Sequence, residues 1–231
     1  MLMLSFSLIH FFSKYLSLPK NHRQRFLSLS AGIGVAYVFI HLWPQIAESQ
    51  QLFSKEVQWL QGSLLHHALY LTALGGLIIF FSIYRLVSHI DSERKESVES
   101  GLFWAHLGFF FLYNFIIGIL VTYQSRWVSS MFVFFIAFGL HFIANDWHLR
   151  LHHKYIYDKY GRFVLSISIV LGYLFGTWIS FPEYIVGVLE AFITGSMVLN
   201  VIKSELPSEK SGSLGGFLTG VAGGASLFIL L

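Results

Sequence analysis

The chain has no cysteine. Disulfides, thiolate metal sites and thiol redox chemistry are therefore excluded. Charge is also scarce. Asp, Glu, Lys and Arg make up 12% of the 231 residues, against about 25% in a soluble domain. No stretch reads as a linker to a second domain, and no internal repeat stands out. The opening MLMLSFSLIHFF lacks a basic leading segment and a small-residue cleavage site, so no secretory signal peptide is expected. What the chain has instead is apolar surface: 55% of its residues are hydrophobic and the mean hydropathy is +0.64. A pI near 9.1 raises the question of nucleic acid. The bases, however, sit in short segments between apolar runs, where they act as topology signals.

A membrane-crossing helix needs about 20 mostly apolar residues. Seven runs meet this: 26–47, 64–87, 102–123, 128–149, 163–181, 184–202 and 214–231. Residues 1–18 are apolar but short and interrupted by His10. They read either as an eighth, truncated span or as a helix in the membrane interface. The fold expected is all-α, a polytopic membrane helical bundle of seven to eight spans forming one transmembrane domain over 1–231. With 1–18 counted as the first span, one set of loops and ends holds Lys14, Lys20, Arg23, Arg25, Arg85, Arg94, Lys95, Arg150, Lys154, Lys159, Arg162, Lys203 and Lys210. The opposite set holds only Lys55 and Arg126. Positive charge marks the cytoplasmic side, so both termini are expected outside the cytoplasm. Without the first span, only the N-terminus changes side. The mixed-charge segment 89–100 reads as a solvated loop. Gly212, Gly216, Gly220 and Gly224 recur every fourth residue, which lines one helix face with glycine for close packing.

Ionisable and amide groups inside spans are costly, so each is a candidate for function. The fifth span reads FGLHFIANDWHLRLHHKY. His141, Asn145, His148 and His152 fall on one helical face, with Asp146 and His153 on an adjoining stripe. Imidazole and oxygen groups together suit zinc and similar divalent ions; the competing reading is that His148, His152 and His153 are interfacial residues. In the fourth span, Asn114 lies near the centre and His106 two turns before it on the same face. The very short connection 124–127 suggests that the fourth and fifth spans are antiparallel neighbours, with Asn114 beside His141 or Asn145. His41, before Pro44, and His66 and His67 mark the outer side. Glu190 is a lone intramembrane carboxylate, and Asn200 lies near the inner end of its span. Together these groups form a ladder across the bilayer, as a cation route requires. Asp146 lies about 140° around the helix from His141, so one ion cannot take both from a regular helix, whereas His141 and Asn145 are one turn apart.

Three segments resemble the ZIP (Zrt/Irt-like) divalent-metal transporters. AGIGVAYVFIHLWPQIAE, 31–48, looks like that family's second helix, which ends in His-Leu-Leu-Pro-Glu-Ala. LYNFIIGIL, 112–120, looks like its fourth helix, with core H-N-x-x-D-G. VLEAFITGSMVLNVIKSELPSE, 188–209, looks like its seventh. The glycine-rich final span also fits. The resemblance implies eight helices with both ends outside, and a metal site between the fourth and fifth. Carried over, Asn114 and Gly118 match, while Tyr113 stands where the family has histidine and Ile117 where it has an acid. His141 matches the first residue of the fifth-helix pattern H-E-x-P-H/E, which here continues Phe142, Ile143, Ala144, Asn145. The family's usual carboxylates are thus missing from the aligned positions, leaving Asp146 or Glu190 to supply charge.

The resemblance implies transport of a divalent metal ion, zinc first and iron or manganese next, with no enzymatic chemistry and no prosthetic group. His141 is the expected central ligand, with Asn114, Asn145 and Asp146 completing or flanking the sphere. His106, His148, His152, Glu190 and His41 are expected along the pathway. The expected partners are the lipid bilayer and the metal ion itself, with a homodimer open and no nucleic acid. The alternative is a ZIP-like protein that has lost transport and serves a structural, sensing or partner role. A bis-histidine haem protein using His41 with His66 or His67 is a third reading.

Overall fold

A computed structural model describes residues 1–16, 18–57, 62–91, 96–123, 128–202 and 212–230. Among these residues the chain forms nine α-helices: α1 (Leu2–Phe12), α2 (Lys20–Tyr37), α3 (Trp43–Glu56), α4 (Ser63–Asp91), α5 (Glu96–Val121), α6 (Val128–Ile156), α7 (Arg162–Trp178), α8 (Glu183–Asn200) and α9 (Leu214–Leu230). A π-helical turn, Val38–Leu42, joins α2 to α3. Pro44 explains it: proline has no N–H to give the preceding turn and crowds the carbonyl four residues back, so the ladder widens there. A second π-helical turn, Tyr157–Gly161, leads into α7. Within α6 the backbone breaks at His153, with φ −135° and ψ 53°.

Six stretches are long and apolar enough to cross a bilayer: Lys20–Glu56, Ser63–Leu86, Phe103–Val121, Met131–Leu151, His153–Trp178 and Glu183–Asn200. They coincide with six of the seven expected runs, but the first is much longer than 26–47. Its 37 residues measure about 55 Å at 1.5 Å per residue, well beyond a hydrocarbon core of about 30 Å. α9 is apolar but shorter, and α1 has 11 residues. The segment expected as a loop at 89–100 is largely taken up by the end of α4 and the start of α5. Arg94, Lys95, Arg126, Lys203 and Lys210 lie outside the described residues.

The side chains are sorted as lipid demands. Phe39, Leu74, Ile78, Leu112 and Ile167 are exposed, while Asn114, His141, Asn145, Asp146 and Asn200 are buried. A water-soluble protein shows the opposite. Helices long enough to span, with apolar surfaces and polar interiors, make this an integral membrane helical bundle.

The helices associate in two groups. In one, α5 and α1 pack on α7, and α6 packs on α1. In the other, α2 packs on α9, while α3 and α4 pack on α8. α6 also leans on α2, which places it at the seam. Because lipid tails are as apolar as leucine, close packing replaces hydrophobic exclusion as the glue between helices. The tightest contacts here are made at glycine. A Cβ added to Gly195 of α8 would sit 1.7 Å from the Ala73 carbonyl oxygen, and one on Gly172 of α7 would sit 2.0 Å from that of Phe115. Gly220 and Gly224 of the periodic series do face a neighbour: a Cβ on either would fall 3.2 Å or less from α2. α5 packs most closely on α7, with Gly118 against Ile169, although its sequence neighbour α6 was the expected partner.

Candidate functional site

α6 places His141 and Asn145 one turn apart, and both are buried. The Nδ2 of Asn145 donates to His141 Nε2 at 3.0 Å. The Nδ2 of Asn200, the last residue of α8, donates to the same nitrogen at 3.2 Å and also to Asn145 Oδ1. The Tyr113 hydroxyl of α5 lies 3.3 Å from Nε2. One imidazole nitrogen with a single lone pair thus faces three donors, and it can serve only one of them well. Four polar groups from three helices converge, belonging to both packing groups. Tyr113 and His141 lie on the α5/α6 side, and Asn200 on the α8 side. Rotating either amide about its last torsion would present oxygen instead of nitrogen. The centre would then offer imidazole nitrogen, phenolic oxygen and amide oxygen.

The other candidates fall elsewhere. Asn114 is buried, and its Oδ1 has no hydrogen-bond partner among the described residues. The neighbouring Tyr113 is the α5 residue that meets His141. Asp146 is fully buried and turned to α1, where His10 Nδ1 donates to its two oxygens at 2.9 and 3.0 Å. Five residues along a helix point Asp146 away from His141, and His10 meets it on that side. Around this pair, Ser13 Oγ donates to the His10 carbonyl at 2.8 Å and lies 3.0 Å from the Tyr157 hydroxyl. The His10 ring packs on Phe142 at 4.7 Å between centroids. α1 is further tied to α7 by Arg162 Nη1, which donates to Phe11 O at 2.9 Å, and by Ser166 Oγ, which donates to Ser7 O at 2.8 Å.

Glu190 sits half-buried between α8 and α3, accepting 2.8 Å from Gln45 Nε2 and also bonded by Ser49. Polar neighbours therefore hold the lone carboxylate expected to supply charge, at a place distinct from His141. His41, in the π-helical turn, stacks on Tyr37 with centroids 5.2 Å apart. His106 packs on Phe110 at 5.0 Å, and His148 is half-buried. The side chain of His152 lies outside the described residues. His66 and His67 are exposed, and His67 Nδ1 donates to Ser63 O at 2.8 Å.

No family model matches this chain, and neither a curated protein nor a solved structure matches it. Among the described residues, no three His, Asp, Glu or Cys side chains are grouped so as to hold a metal ion. The His141 centre is built from one imidazole and neutral oxygen-bearing groups. Sequence reasoning found His141 and Asn145 from their spacing. It noted Asn200 and His10 only as polar residues in apolar surroundings. That rarity was itself the available signal.

Proposed function

We propose that the chain is a divergent ZIP-like transporter of a divalent metal ion, zinc first and iron or manganese next, working as an eight-helix bundle in which α1 and α9 complete the spans. Both termini then face away from the cytoplasm, as the distribution of basic residues argues. The observation that carries the reading is the convergence of Tyr113, His141, Asn145 and Asn200 on one buried point. Three donors around one acceptor are poorly satisfied without a cation, and a cation with the amides turned would use every one of them. Its seam position gives a route to release. Sliding α5, α6 and α7 against α8 would separate Asn200 from His141 while leaving Asn145 on the same helix. Several weak neutral ligands let an ion enter and leave. The test is metal uptake and bound-metal content of His141→Ala in protein that still folds. Loss of both is expected, and parental uptake and content would end the proposal.

One observation favours a second reading, a ZIP-like bundle that has abandoned transport. The centre contains no carboxylate, because Asp146 is paired with His10. A divalent charge would be left uncompensated in a low-dielectric interior. On this reading the cluster is a structural polar network tying two helix groups together.

A further inference from the structure

Where the chain passes from α1 into α2, beside the end of α6, a notch of about 190 Å³ opens to the surface. Three cations line it: Arg23 from the first turn of α2, and Arg150 and Lys154 from α6. Asp158 occupies only Nε and Nη2 of Arg150, at 2.7 and 3.0 Å, so the rest of that guanidinium remains for another acceptor. Among the described residues no carboxylate pairs with Arg23 or Lys154. The positive end of α2 lies between Leu18 and Arg23. Its cap is Pro19, which gives no side-chain hydrogen bond, and its first turn has no acid. Free N–H groups there add to the attraction for an anion.

The notch is also apolar, through Leu16, Leu18 and Leu151, which are 41%, 40% and 56% exposed. Trp147 closes its floor, with Nε1 donating to Leu16 O at 2.8 Å. Three cations beside exposed leucines, at the end of a spanning helix, match a ligand with a phosphate at one end and acyl chains at the other. We propose that this notch binds the headgroup phosphate of an anionic phospholipid, on the face that carries the basic loops. A free phosphate would use the cations and leave the leucines idle. The lipid would bridge α2 and α6, and so join the two helix groups across their seam. Any effect on transport rests on the function proposed above; the binding site does not.

The experiment is native mass spectrometry of full-length protein released from vesicles of mixed phosphatidylglycerol and phosphatidylcholine. The parent is expected to retain phosphatidylglycerol selectively. Arg23→Gln/Lys154→Gln should lower that selectivity roughly 10- to 30-fold, the effect of removing two cations near a lipid surface. Arg23→Lys/Lys154→Arg should keep it, which separates loss of charge from loss of fold. Equal retention by the parent and the Gln variant would overturn the proposal. Full displacement of the lipid by millimolar inorganic phosphate would also overturn it, by assigning the site to the soluble anion.

Discussion

Asn200→Leu tests whether the buried cluster is an ion site or only a polar network. Leucine keeps most of the volume and removes the amide. Two contacts vanish: the bond to Asn145 Oδ1 and the 3.2 Å bond to His141 Nε2. His141 keeps Asn145 Nδ2 at 3.0 Å and the Tyr113 hydroxyl at 3.3 Å, so only Asn145 Oδ1 is left without its partner. An unsatisfied buried acceptor costs about 1–3 kcal/mol, although bonds between membrane helices average only about 0.6 kcal/mol. The variant should therefore fold, with stability lowered by about 1 kcal/mol. Its response to metal should change more. With zinc at about 100 times the parental Kd, bound metal stabilises the folded state by about 2.7 kcal/mol. If losing one of the four groups weakens binding about 10- to 100-fold, as loss of a supporting partner does, the same zinc concentration contributes only about 0.4–1.4 kcal/mol. Thermal unfolding in detergent, with and without zinc, reads this difference, and metal content after dialysis checks it. A variant whose zinc response equals that of the parent removes Asn200 from the site. A parent with no zinc response refutes the ion site itself and leaves the network reading.

Asn145→Asp places a carboxylate in the neutral centre and should raise metal content and retention time, with slower release in uptake assays; unchanged metal content would mean that no cation approaches it. Gly76→Ala should lower the unfolding midpoint by the equivalent of about 1–3 kcal/mol, because its Cβ would fall 2.3 Å from the Phe192 carbonyl oxygen, while Gly75→Ala, with nothing within 4 Å, should be neutral or mildly stabilising; equal effects in denaturant titrations would reject the α4/α8 crossing. His10→Leu leaves the Asp146 carboxylate buried and unpaired, at about 3–5 kcal/mol. His10→Leu/Asp146→Leu should recover most of that loss, and a double-mutant cycle showing simple additivity would separate α1 from α6.

The spans were legible because hydropathy over about 20 residues is a local property that needs no knowledge of neighbours. Pairing is not local. Loop length suggested α5 beside α6, yet α5 packs most tightly on α7, where Gly118 and Gly172 let two backbones approach. The periodic glycines of the last span were readable as a packing face, while isolated glycines at 118 and 172 give no periodicity to read. The same limit shaped the site. His141 and Asn145 announce each other through the helical repeat. Tyr113 and Asn200 come from helices whose rotation no sequence period fixes. A single buried polar residue says only that it needs a partner. Asp146 shows how partner choice decides function: five residues from His141, it faces α1, where His10 interrupts an otherwise apolar helix. The interruption that made residues 1–18 look like a poor span is what binds α1 into the bundle. It also leaves the His141 centre without a carboxylate, so the charge of that centre is set by a contact 136 residues away in sequence.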